Sequence, residues 1–145
     1  MWVLHQKSLF LVYYYYIIYK VSDTNFYFIK YSYCLQKNST VQTSLKSFIT
    51  DNPFNYITCQ IMKYLNGNVI ACFFTISMNN THYINCTVFD SENNLAIIKT
   101  TRTVTSGINS YNNIKSTVMT IDGRQKALVC GAINETTLFC AGYNR

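Results

Sequence analysis

One proline, five glycines and six acidic residues are all that 145 positions hold of those types. So little Pro and Gly excludes collagen-like and Pro/Gly-rich disordered chains, and 12% charged residues beside 49% hydrophobic ones excludes a charged coiled coil or a disordered acidic tail. The six acids are Asp23, Asp51, Asp90, Glu92, Asp122 and Glu135. Only Asp90 and Glu92 stand close, two apart at a strand end, where a turn role outweighs a paired-carboxylate site. Asp122 reads as the first residue of an Asp-Gly turn. Motifs of the GxSxG, GxGxxG, P-loop and HExxH kinds are missing. No CxxC spacing occurs, and His5 and His82 lie away from any cysteine pair. No catalytic residue, cofactor or metal is therefore expected.

Concentrated charge is missing too. The net charge is +6, yet the twelve basic residues are scattered, with only Lys99–Arg102 and Arg124–Lys126 bringing two together. Nucleic-acid binding needs a basic footprint on one face, so no nucleic-acid partner is expected and the charge reads as a solubilising surface. The longest apolar or aromatic run, residues 9–19 (LFLVYYYYIIY), is shorter than the ~20 residues of a membrane span. With His5 and Lys7 before it, residues 1–22 have the outline of a secretory leader or anchor. Four consecutive tyrosines and the lack of a small-x-small cleavage site count against that outline, and a buried strand is the competing reading. Any membrane contact would run through this segment alone.

What the chain does have is β-forming residues. Thirteen tyrosines, nine phenylalanines and abundant Thr, Ile and Val predict an all-β fold of antiparallel meander sheets with no long helix in the folded part. Residues 23–145 read as a single all-β domain. Its centre is residues 57–94, three strands joined by two tight turns. Leu65-Asn66-Gly67-Asn68 carries Asn-Gly, the pair that tolerates φ > 0 at both positions of a type I′ hairpin turn. With Asn66 and Gly67 as the loop, Leu65 should pair with Asn68, Lys63 with Ile70 and Ile61 with Cys72. Residues 69–76 are apolar on both faces, as a central strand covered on both sides requires. Residues 25–34 and 95–105 read as strands, residues 36–43 as a polar connection, 47–55 as a turn around Pro53, and 106–113 as a loop.

The meander has a shorter counterpart in residues 116–145. Asp122-Gly123 stands where Asn66-Gly67 stood, and the matching strands each hold a cysteine, Cys72 with Cys130 and Cys86 with Cys140. Two repeats, about 23–94 and 95–145, are one reading of this.

Six cysteines in a short chain suggest disulfides. A hairpin loop centred on Asn79 sets Cys72 opposite Cys86, and one centred on Glu135 sets Cys130 opposite Cys140. Directly opposed residues have the Cβ separation a disulfide needs. The expected set is thus Cys72–Cys86, Cys130–Cys140 and, by remainder, Cys34–Cys59, with six reduced buried thiols as the competing reading. Four N-x-[ST] sequons, at Asn38, Asn79, Asn85 and Asn134, point to the secretory pathway. Asn79 and Asn134 should occupy turn tips, whereas Asn85 falls inside a strand and should be a poor acceptor.

The run YLNGNVIACFF (64–74) followed by INCTVFDSENN (84–94) resembles the blades of sialidase-like and related extracellular β-propellers, with a degenerate second copy at 116–145. The resemblance implies about two blades, which would close a ring only by self-assembly. The S-x-D-x-G-x-x-W box of sialidases is missing, so glycosidase activity is not implied. A small β-sandwich is the other architecture. Taken together, the expectation is a non-enzymatic, disulfide-stabilised secreted or cell-surface glycoprotein module that meets a protein or glycan ligand through exposed aromatics and loop tips. The alternatives are a remnant of a propeller hydrolase and an immunoglobulin-like adhesion or viral surface module. The latter lacks a core tryptophan, the only one being Trp2.

Overall fold

The structure, a computed structural model, describes residues 2–7, 12–50, 53–64, 67–79, 81–104, 114–132 and 136–143. Among them there are eleven strands and no helix, arranged as three antiparallel sheets of four, four and three strands in which neighbours in the sheet are neighbours in sequence. The all-β expectation holds. The chain forms two compact units, Met1–Asp51 and Asn52–Arg145; strand structure runs to Ile49 and resumes at Phe54, which shortens the turn expected over 47–55, and residues 51–52 lie outside the described ones.

The first unit is the sheet of β1 (Trp2–Lys7), β2 (Val12–Lys20), β3 (Asn25–Cys34) and β4 (Ser39–Ile49). Most of the leader-like run therefore lies in β2, hydrogen-bonded between β1 and β3, while residues 9–11 lie outside the described ones. β4 corrects the expected polar connection at 36–43: only Leu35–Asn38 is turn, and Ser39 onward is strand. As the last strand of its sheet, β4 exposes most of its side chains, so its Ser/Thr-rich sequence carries no apolar alternation to betray it. Its end is tied back to the β2–β3 turn, where Thr50 donates from N to the Thr24 carbonyl at 2.8 Å.

The second unit begins with β5 (Phe54–Tyr64), β6 (Gly67–Met78), β7 (Thr81–Asp90) and β8 (Ile97–Val104). Residues 69–76 of β6 are all buried, as their two-sided apolar sequence requires. One face of this sheet, with Met62, Val69, Ala71, Phe73, Ile84, Cys86 and Val88, packs on Ile114, Ala127 and Val129 of a second sheet. That sheet consists of β9 (Ile114–Ile121), β10 (Arg124–Ala132) and β11 (Leu138–Tyr143). Each fully buried aliphatic or aromatic side chain contributes about 1.5–3 kcal/mol. On the other face, Phe54 and Phe74 meet edge-on with ring centroids 6.1 Å apart.

Polar groups in this unit are satisfied locally. Thr58 and Ser116 share a 2.6 Å hydroxyl hydrogen bond, and the Gln60 amide donates to the Ser116 carbonyl at 3.0 Å, joining β5 to β9. Where β5 bulges between Phe54 and Ile57, Tyr56 N donates to the buried Thr75 hydroxyl at 3.2 Å. Asp90 accepts from the backbone N–H of Glu92 and Asn93, so its carboxylate shapes the β7–β8 turn.

Candidate recognition surface

β2 and β3 pair in unbroken register, with Tyr13 opposite Tyr33, Tyr15 opposite Tyr31, Ile17 opposite Ile29 and Tyr19 opposite Tyr27. Directly opposed residues share a face, so six tyrosines and two isoleucines line one side of this strand pair. β4 extends that side with Leu45 opposite Ile29, Ser47 opposite Tyr27 and Ile49 opposite Asn25. The alternate residues, Tyr16, Ile18, Phe26 and Phe28, are fully buried on the other side. On the tyrosine side, by contrast, Tyr19 is 54% exposed, Leu45 54% and Ile49 72%, with Tyr13, Tyr15, Tyr31 and Tyr33 half-buried.

Charge is sorted between the two sides. Lys20 is paired with Phe26, Lys30 with Tyr16 and Lys46 with Phe28, so every lysine of β2–β4 stands opposite to the tyrosine face. Lys30 Nζ lies 4.5 Å from the Tyr14 ring centroid and 5.7 Å from that of Tyr16, a cation–π arrangement on that side. Lys20 forms an ion pair with Asp23 at 3.3 Å. Within β2–β4 the tyrosine face therefore carries no charged residue. His5 and Lys7 of β1 are paired with Tyr15 and Tyr13 at its border.

Hydrogen bonds hold the rim. The Tyr33 hydroxyl donates to Asn38 Oδ1 at 2.6 Å across the β3–β4 turn, where Asn38 adopts φ 45°. Ser47 donates to Asn25 Oδ1 at 3.0 Å, and at the β-bulge Thr43 donates to the Lys30 carbonyl at 3.3 Å. The turn thus presents a sequon asparagine beside the tyrosine row. Asn79 also lies exposed at a turn, with φ 50°, whereas Asn85 sits half-buried in β7 opposite Arg102. Asn134 lies outside the described residues.

The cysteines correct part of the expected connectivity. Cys130–Cys140 forms as predicted, between directly opposed residues of β10 and β11 with Cα atoms 4.1 Å apart. Cys72, however, bonds Cys59 of β5, also at 4.1 Å, and neither Cys72–Cys86 nor Cys34–Cys59 exists. Both errors are errors of register. β6 and β7 pair Met78 with Thr81, which sets Cys72 opposite Thr87 and turns Cys86 to the other face. β5 and β6 pair Tyr64 with Gly67, two residues off the expected register, so Cys72 keeps its face but meets Cys59 in place of Ile61. Cys34, half-buried at the end of β3, and Cys86 remain thiols. Burial pushes the Cys86 thiol up to about 12 against a weaker opposing pull from Lys99.

Among the described residues no three His, Cys, Asp or Glu side chains come together as a metal site, and no helix is long and apolar enough to cross a membrane. His82 lies in β7 opposite Ser77. The tyrosine face was hidden in the sequence because β2 places tyrosine on both of its sides, which erases the period-two signal. Only Tyr27, Ile29, Tyr31 and Tyr33 of β3 keep a readable alternation. No family model, curated protein or solved structure matches this chain.

Proposed function

We propose that this chain is a non-enzymatic, extracytoplasmic recognition module, stapled by two disulfides, whose tyrosine face engages a protein or glycan ligand. The observation that carries the reading is the partly exposed, charge-free row of Tyr13, Tyr15, Tyr19, Tyr27, Tyr31 and Tyr33. Tyrosine offers a large, rigid ring and a hydroxyl that both donates and accepts, the combination favoured at binding surfaces. Two intramolecular disulfides support an oxidising compartment. Among the described sequons, Asn38 and Asn79, exposed on turns, are the best placed to carry a glycan.

Non-reducing peptide mapping with glycan-site analysis, on the full chain expressed through a secretory host, tests this. Cys59–Cys72, Cys130–Cys140 and sugar on Asn38 and Asn79 are expected. Six thiols and unmodified asparagines would refute the compartment, and with it the glycoprotein reading.

A second reading, propeller-type blades that close a ring by self-assembly, is favoured by the four-stranded meander of β5–β8, which carries the blade-like run; its second copy at 116–145 falls in the three-stranded sheet β9–β11. It requires a ring of several copies.

A further inference from the structure

We infer that the occupant of the tyrosine face is a second copy of the same chain, packed face to face about a two-fold axis. The inference rests on the recognition reading of this surface and names its partner. Three properties of the face lead to it.

The first is charge. A molecule of net charge +6 repels its own copies, so self-association is open only where that charge has been removed. Lys20, Lys30 and Lys46 all fall on the opposite side of β2–β4, leaving the tyrosine side uncharged, with His5 and Lys7 only at the β1 border. A neutral centre with charges at its edge is the layout of a protein interface.

The second is self-complementarity. In a two-fold interface each group meets its own kind or a neighbour's. Carboxylates or amines fail that condition, because like meets like. Hydroxyls satisfy it in kind, because a hydroxyl both donates and accepts; Tyr33, whose proton goes to Asn38, can still accept. On the same face Thr40 adds a further hydroxyl, and Ser47, which donates to Asn25, adds an acceptor.

The third is area. With about 200 Å² for a whole aromatic side chain, the exposures of Tyr19, Tyr27, Leu45, Ile49 and their half-buried neighbours amount to roughly 600–700 Å² per copy. A specific interface takes about 600–1,000 Å² from each partner. A face of this size sits at the lower end of that range; area alone does not set affinity, and the weak end, a Kd on the order of 1–10 µM, is the one expected of so small an interface.

Sedimentation equilibrium of the full chain over about 1–100 µM tests this, that range bracketing the expected Kd. A monomer–dimer equilibrium is expected, unchanged or strengthened by added salt because screening weakens the repulsion between +6 copies. The Y19K/Y27K variant, altered at exposed positions, should weaken the dimer at least about tenfold. An M119K/I121K variant adds the same charge at exposed positions of β9 and should leave the equilibrium unchanged. Photo-oxidative dityrosine cross-linking of the unaltered chain gives a readout independent of variant folding. Intermolecular links should join Tyr13, Tyr15, Tyr19, Tyr27, Tyr31 or Tyr33 across copies.

A monomer throughout the range, a dimer that dissolves in salt, a ring of more than two copies, or cross-links confined to Tyr56 and Tyr83 would each overturn the inference. So would a monomer that binds a polysaccharide or an unrelated protein through this face. That result would leave the recognition reading standing, and disulfide and glycan mapping tests its compartment independently.

Discussion

Native-state thiol labelling probes the register of the central sheet directly. The perturbation is iodoacetamide at pH 8 on the unreduced, folded chain, followed by peptide mapping. A thiol at the ordinary value of 9.0 is about one-tenth thiolate at that pH, whereas one at about 12 is about one ten-thousandth thiolate. Ionisation alone makes Cys86 roughly 1,000-fold less reactive than an ordinary thiol. Its burial against the β9–β11 sheet slows it further by denying the reagent access. Cys34, half-buried at the end of β3, should be labelled first, and Cys86 only when denaturant opens the second unit. Cys59, Cys72, Cys130 and Cys140 should take label only after reduction. Labelling of Cys59 without reduction, with Cys86 recovered in a disulfide to Cys72, would refute the register of both β5–β6 and β6–β7.

The same thiol predicts an alkaline limit. Folding raises its pKa, so between about 9 and 12 the unfolded chain has released a proton that the native state still holds. Its contribution is complete below pH 9 and falls as pH rises through that window, and C86A should flatten the slope in denaturant titrations at successive pH values. S116A removes the hydroxyl shared with Thr58 and should cost about 1–3 kcal/mol of unfolding free energy by urea denaturation, while leaving the strand content by circular dichroism unchanged. Gly123 has φ 73° with open space around its Cα, so G123A is opposed by backbone conformation alone and should cost about 1–2 kcal/mol in the same assay.

The strand buried on both sides and the Asp-Gly turn were legible from sequence. Residues 69–76 of β6 are apolar on both faces, and Asp122-Gly123, at φ 50° and 73°, closes the β9–β10 hairpin where the pair was expected. The register across β10–β11 followed from the same hairpin logic, and it brought Cys130 to Cys140. Registers set by a turn of uncertain length were not legible. Asn79 at φ 50° serves a two-residue connection between Met78 and Thr81, where a loop centred on Asn79 had been expected. β4 stayed hidden because an edge strand of Ser and Thr has no buried face to demand alternation. The tyrosine face stayed hidden because its strand is aromatic on both sides. The outline of the fold lies in side-chain chemistry, whereas pairing depends on backbone geometry at a few turn residues.

Cys72 stands on the strand between β5 and β7, each of which carries a cysteine of its own, yet it bonds only Cys59. The β5–β6 register sets Cys59 opposite Cys72, and the β6–β7 turn, several residues away from any sulfur, keeps Cys86 on the other face. During evolution a β6–β7 turn of different length would bring Cys86 to the face of Cys72 without touching a cysteine, setting a third sulfur beside the Cys59–Cys72 pair. Substitutions at Asn79 are therefore coupled to the retention of three cysteines they never contact. In related chains, turn length and cysteine pattern should change together or not at all.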